Sequence, residues 1–288
     1  MALLLLMFVQ YLREKQIAKL EPCKYTTLKG LYSTRLIDLL PGQWNEVPSC
    51  TIHEFELEAA PEYEALSYVW GETENPVQII CNGCILSVTP NLAAALVGIR
   101  HKTKVKTLWI DAICINQSNV LERNQQVGIM YRIYQSARNV LIWIGHERKD
   151  TRLAFESFRP LGKILIDPTV AFASPSNLAT LRLCYERVSS LGTGVWDGLE
   201  DVFMRPWFER VWIIQEVVSA KRALLICGSC RIPWRIFSIA AANLFVIAGA
   251  SHNGQKFDQS MNIGRSARWV GMLGYHGSIF SFLSSVWR

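Results

Sequence analysis

Three short apolar runs in this chain each stop at a knot of polar and aromatic residues. The first is Tyr63-Glu-Ala-Leu-Ser-Tyr-Val-Trp-Gly71, and the second is Leu108-Trp-Ile-Asp-Ala-Ile-Cys-Ile-Asn-Gln117. The third, Asn139-Val-Leu-Ile-Trp-Ile144, ends at Gly145-His146. Runs of this length, bounded by turn residues, read as buried strands. A strand that only filled a core would not need Asp111, Asn116 and Gln117 crowded at its end. The segments between the runs read as a hairpin and two helices. Asn82-Gly83 is a type I′ turn signal between Val77–Ile80 and Ile85–Val88. Thr89 caps and Pro90 opens a helix to about Ile99. Asn119, with Glu122 three residues on, forms a capping box ahead of Val127, Met130, Tyr131, Tyr134 and Ala137 at helical spacing.

The order from 63 to 145 is therefore strand, hairpin, helix, strand, helix, strand. It predicts an α/β fold of the flavodoxin-like kind: a parallel central sheet flanked by helices, with the hairpin inserted. Sites in such sheets form beyond the carboxyl ends of the strands. Tyr68, Trp70, Gly71, Asp111, Asn116 and Gln117 are expected there. Ahead of this block, Tyr25–Leu40 alternates in character and ends at Pro41-Gly42, and Ser49–Leu57 reads as a strand. After it, residues 146–200 read as a helical insertion, with helical stretches at Thr151–Phe158 and Ser176–Leu191. Trp207–Val218 reads as one helix, Ala223–Cys227 as a strand, and Pro233 as the opening of the last clear helix. The expected organisation is an N-terminal extension (1–24), one domain over 25–250 with its core in 63–145 and 201–240, and an atypical tail (251–288).

Hydrophobic residues make up 50% of the 288 and charged ones 19%, a globular rather than a disordered composition. The net charge of +6 is scattered, with no basic run longer than Lys102-Thr-Lys-Val-Lys106, so no nucleic-acid partner is expected. Eight cysteines are spread thinly, which fits a reduced, cytoplasmic protein rather than a disulfide scaffold. Cys81/Cys84 and Cys227/Cys230 are two Cys-x-x-Cys pairs with zinc-ligand spacing. Because Cys81 and Cys84 flank a turn and Cys227-Gly228 ends a strand, no metal site is expected. The apolar run Ala2–Val9 is too short for a membrane span, which needs ~20 residues, and Ile236–Ala250 suits a buried helix better. No membrane span is expected. The absence of Gly-x-Gly-x-x-Gly argues against an ordinary redox dinucleotide site, and no resident cofactor is expected.

The 63–71 and 108–117 stretches, read with Arg205-Pro-Trp-Phe-Glu-Arg-Val-Trp-Ile-Ile-Gln-Glu216, resemble the heterokaryon incompatibility (HET) domain family of filamentous fungi. Tyr25–Leu28 with Arg35-Leu36, Thr89–Leu92, and Glu122-Arg123 with Gln126-Val127 agree as well. The resemblance covers roughly residues 25–240. It implies a fungal protein of self/non-self recognition and innate immunity, linked to programmed cell death. Its implied partners are further copies of itself or another incompatibility or NLR-type signalling protein. The family's downstream acidic-Pro-Arg-Asp stretch and Tyr-Ala-Leu-Leu-like strand have no counterpart after Ser251. The tail is expected to be poorly packed, and an inactive, shortened family member stays an alternative.

The same order is similar to the Toll/interleukin-1 receptor (TIR) fold. Leu66-Ser67-Tyr68, Ile110-Asp111 and Arg210-Val-Trp212-Ile-Ile-Gln-Glu216 are similar to TIR strand ends and to the helix that carries the catalytic glutamate of NAD-cleaving members. This resemblance implies Glu216 alone as a catalytic candidate, with NAD as a substrate; by its chemistry, an aromatic such as Trp70 or Trp212 can stack on a base or ring. Each residue has a structural alternative. Glu216 can pair with Arg210 or Arg205, Asp111 can cap its own turn, and Trp207 and Trp212 can be core or interface aromatics. Cys114, between Ile113 and Ile115, reads as an inert buried thiol rather than a nucleophile. A non-catalytic module that works by self-association is the competing function.

Overall fold

The computed structural model describes residues 20–163 and 175–252. The expectations for the extension up to residue 19 and for the tail from 253 onward fall outside these residues. The chain divides into two compact units, Met1–Val140 and Leu141–Arg288.

The first unit holds β1 (Ser33–Leu39), β2 (Ser49–Glu56), β3 (Glu64–Tyr68), β4 (Val77–Cys81), β5 (Cys84–Val88) and β6 (Lys106–Trp109). Its helices are α1 (Pro90–Ile99), α2 (Asp111–Cys114) and α3 (Val120–Ser136). The strands lie in the order β5-β4-β2-β1-β6-β3. The sheet is mixed, which corrects the expectation of a parallel one. β3 and β6 run parallel, with Glu64 opposite Leu108, and so do β2 and β4. β1 runs antiparallel to both β2 and β6. β1 is the element that the pattern underrates. It lies between two strands and is almost wholly buried despite Ser33, Thr34, Arg35 and Asp38. Those polar groups are tolerated because they are bonded: Ser33 Oγ to Glu56 (2.5 Å) and Thr34 Oγ1 to Gln126 (2.8 Å).

The hairpin forms as expected. Asn82 and Gly83 take φ of 52° and 73°, the two positive values that a type I′ turn requires, and Cys81 faces Cys84. Thr89 caps α1 by accepting from Leu92 N. Asn119 caps α3 by accepting from Glu122 N. The other half of that capping box is not used, because the Glu122 carboxylate turns inward.

β7 (Asn139–Trp143) carries the chain from the first unit into the second. There follow α4 (Thr151–Leu161), α5 (Pro175–Ser189), α6 (Val195–Phe203), α7 (Ile213–Val218), β8 (Ala223–Cys227), β9 (Cys230–Pro233) and α8 (Trp234–His252). Trp207–Val218 is not one helix. A 3-10 turn at Pro206–Glu209 precedes the short α7, because Arg210 leaves helical geometry with φ −78° and ψ 130°. The core of this unit is aromatic. Phe158 meets Phe237 edge-on at 5.0 Å, and Phe208 stacks on Phe237 at 5.7 Å. Trp207 and Trp234 complete the cluster at 0% exposure. Rings of this size each bury ~150–250 Å², so they dominate the local packing energy. Among the described residues, no helix is long and apolar enough to cross a membrane.

Candidate functional site

In the first unit, the parallel register of β3 and β6 brings their carboxyl ends to one edge of the sheet. Trp70 Nε1 donates to Asp111 Oδ2 at 2.8 Å, and the indole is 38% exposed. The other Asp111 oxygen, Oδ1, accepts from Ala112 N at 2.7 Å, at the start of α2. Asp111 therefore bonds the first turn of α2 and anchors the exposed ring. Gln117 Nε2 donates to the Asp111 carbonyl at 2.9 Å. Asn91 Nδ2 donates to the Val69 carbonyl at 2.6 Å, fixing the chain just ahead of Trp70. Gly71, with φ of +73°, lets the chain turn away at once.

Other predicted residues serve the frame. Tyr68 is buried. Asn116 Oδ1 accepts from Ser118 N and Oγ, closing its own turn. The Cys114 thiol is fully enclosed, and burial, the largest cause, pushes its pKa up to about 12. At neutral pH it is a thiol rather than a nucleophilic thiolate.

Beneath this edge lies a buried ion pair. Arg35 Nη1 and Nη2 contact the two carboxylate oxygens of Glu122, the second at 3.0 Å. Arg35 also donates to the Cys114 and Thr26 carbonyls. Glu122 Oε1 accepts from Asn116 N at 2.7 Å. The Tyr25 ring covers the guanidinium at 5.0 Å, and its hydroxyl donates to the Ile113 carbonyl at 2.8 Å. Burial raises the Glu122 pKa most strongly as a single cause. The Arg35 hydrogen bonds and charge, with the Asn116 N–H, outweigh it and hold the carboxyl below its ordinary value. This pair thus fixes the loop 110–119 that carries Asp111 and Gln117. In the sequence, Arg35 and Glu122 stand out only as family-matching positions and a cap residue. The available signal is weak: an arginine between Thr34 and Leu36 in a mixed polar and apolar strand, which has to find a countercharge once the strand is buried.

In the second unit, Glu216 is 1% exposed. Its Oε1 and Oε2 accept from Arg210 Nη2 and Nη1 at 2.8 and 3.2 Å. Trp212 lies one helical turn earlier and is 51% exposed. Arg205, the other partner considered for Glu216, pairs with Asp201 at 2.6 Å. Trp207 is core, as expected for one of the two alternatives. Among the described residues, no group of three or more His, Cys, Asp or Glu side chains is arranged to hold a metal ion.

An α/β protein with an anchored, exposed indole and a carboxylate at the carboxyl ends of its strands is thereby defined. The family described as Heterokaryon incompatibility protein (HET) matches residues 63–216, just over half of the 288, and the chain belongs to that family. It is 27% identical over 223 residues to "Heterokaryon incompatibility protein 6, OR allele" of Neurospora crassa, which covers 67% of this chain and 33% of that protein. The chain therefore spans about a third of that relative's length. No solved structure matches the chain.

Proposed function

We propose that this chain is an incompatibility module of a filamentous fungus, promoting programmed cell death when genetically unlike hyphae fuse. One observation carries the reading. The family match begins at Tyr63 and ends at Glu216, so it encloses every candidate site residue, from Tyr68 and Trp70 to Trp212 and Glu216. The name of the Neurospora crassa relative supports the same role. The test is regulated expression in a fungal host with viability as the readout. Death with the wild-type chain, and survival with a folded Asp111→Ala variant, is expected. Survival with well-expressed wild-type protein overturns the proposal.

For mechanism, one reading is NAD hydrolysis, with Glu216 beside the ribose. Cleavage of the nicotinamide–ribose bond develops positive charge on the sugar, and a desolvated carboxylate stabilises it. A buried Glu216 one turn from the exposed Trp212 favours this reading, since the cationic nicotinamide is attracted to an aromatic face. Arg210 holds both carboxylate oxygens, and on this reading substrate displaces one of these bonds.

The non-catalytic reading has its own support. Val120, Val127 and Tyr131 recur at helical spacing on α3 and are 55%, 43% and 50% exposed. That face suits self-association with a second copy.

A further inference from the structure

The edge of the first unit's sheet gathers four thiols that the site does not use. Cys50 faces Cys81 across the β2–β4 pairing, and Cys81 faces Cys84 across the hairpin. Directly opposed residues share a sheet face. The fourth thiol comes from the chain ahead of β1. Residues 21–23 lie along β5 as an extra edge: Cys23 N donates to the Ile85 carbonyl at 2.8 Å, and Ile85 N to the Glu21 carbonyl at 2.9 Å. Pro22 pairs with Ile85 in a parallel bridge. Cys23 and Cys84 each flank that bridge by one residue, so alternation places them on the same face. Cys23 Sγ donates to the Cys81 carbonyl at 3.2 Å, and Cys84 Sγ donates to the Asn82 carbonyl at 3.8 Å.

Access separates the four. Cys50 and Cys81 are 2% and 3% exposed, whereas Cys23 and Cys84 are half-buried. Cys23, Cys84 and Cys81 all line an open cleft of about 50 Å³ with Lys24, Tyr25 and Asn82, but Cys81 is the enclosed one of the three. A small oxidant reaches Cys23 and Cys84 first.

We propose that Cys23 and Cys84 form a peroxide-driven, reversible disulfide that latches segment 21–26 to the β4–β5 hairpin. Hydrogen peroxide oxidises the Cys84 sulfur to a sulfenic acid, and one water leaves. The Cys23 sulfur then displaces the hydroxyl, which departs as a second water with the Cys23 proton. One S–S bond replaces two S–H bonds, and two electrons pass to the peroxide. The latch has consequences further along the strap. Tyr25 and Thr26, two and three residues on, bond to the Ile113 carbonyl and to Arg35. Fixing Cys23 therefore fixes the cover of the Arg35–Glu122 pair.

The test treats the full-length protein with hydrogen peroxide, alkylates remaining thiols after unfolding, and maps peptides without reduction. A Cys23–Cys84 linked peptide that dithiothreitol removes is expected, with Cys50 and Cys81 still alkylated. Proteolysis within 20–26 should slow several-fold in the oxidised form and recover on reduction. Cys23→Ser and Cys84→Ser should each abolish both changes while keeping the wild-type circular dichroism spectrum. Mapping on the wild-type chain does not depend on either variant folding. Cys23 and Cys84 both alkylated after peroxide treatment of the folded protein, or a link between Cys81 and either of them instead, overturns the proposal.

Discussion

Arg35 on β1 and Glu122 on α3 are 87 residues apart in sequence yet meet as a two-pronged ion pair with side chains only 4% and 5% exposed. Removing one partner leaves a buried charge alone, which costs ~3–5 kcal/mol, whereas replacing both with apolar groups is often close to neutral. Arg35→Met is therefore expected to lower the unfolding free energy by about that amount. Arg35→Met/Glu122→Leu should recover much of it. Urea denaturation of the three proteins checks this, and an undiminished loss in the double variant contradicts it.

The same pair sets an acid limit. The folded-state Glu122 pKa lies below its ordinary value. Its contribution is then complete above the unfolded-state pKa, roughly 4.3, and is lost as pH falls through the lower folded value. Melting temperatures between about pH 7 and pH 3 should fall more steeply for wild type than for Glu122→Gln. Parallel curves would assign the acid sensitivity to other carboxylates.

The Trp70–Asp111 contact joins two strand ends without burying either side chain deeply. Asp111→Asn keeps an acceptor for the indole N–H but removes the charge. Stability should change by ~1 kcal/mol or less, as at other exposed polar contacts, while cell killing is lost if the edge binds a ligand or partner. Trp70→Phe should act likewise, through loss of its N–H bond to Asp111. Killing at wild-type levels by both variants removes this edge from the site.

Apart from the short helix Asp111–Cys114, the elements from Glu64 to Trp143 are legible because each carries its own local signal: Thr89 and Asn119 as caps, Asn82-Gly83 as a turn, and apolar runs between them. The direction of the sheet is not, because β1 disguises a central strand with Ser33, Thr34 and Arg35. Its partners Gln126 and Glu122 are about ninety residues away, and no local pattern announces such pairings. Trp70 and Asp111 are legible as strand ends. Arg35 and Asn91 are not, since Arg35 hides in a strand and Asn91 has the character of an ordinary first-turn residue. The break at Arg210 escapes a local pattern for a similar reason. Its extended backbone is matched by a pairing with Glu216 that a continuous helix over 207–218 would place differently.

Two glycine substitutions should have opposite signs. A Cβ added to Gly198 on α6 runs into the Asp150 carbonyl oxygen. Backbone has to move, so Gly198→Ala should cost ~1–3 kcal/mol, the usual range for overpacking. A Cβ on Gly128, within α3, meets nothing within 4 Å, and Gly128→Ala should stabilise by ~0.5–1 kcal/mol through backbone entropy. Thermal melts of the two variants test both signs. If Gly128→Ala instead keeps stability but abolishes self-association, the α3 face is an interface that needs a small residue at its centre.

Glu216→Gln separates the two mechanisms. The carboxylate is 1% exposed and bound through both oxygens to Arg210. If Glu216 stabilises an oxocarbenium-like state, loss of its charge should cut nicotinamide release by ~10²–10³-fold, with the fold intact. If it only secures the turn at 210–216, the variant instead leaves Arg210 without a countercharge. Arg210 is 22% exposed on its side chain and can draw on water, so the cost should fall below the ~3–5 kcal/mol of a fully buried break. Arg210→Gln is the necessary companion, because it removes the guanidinium from both oxygens of the buried carboxylate and should destabilise more than Glu216→Gln. Nicotinamide release, melting temperature and killing are measured for all three proteins. Stable, silent Glu216→Gln beside active wild type supports catalysis. Killing by a folded wild type that releases no nicotinamide from NAD ends the enzymatic reading and leaves self-association.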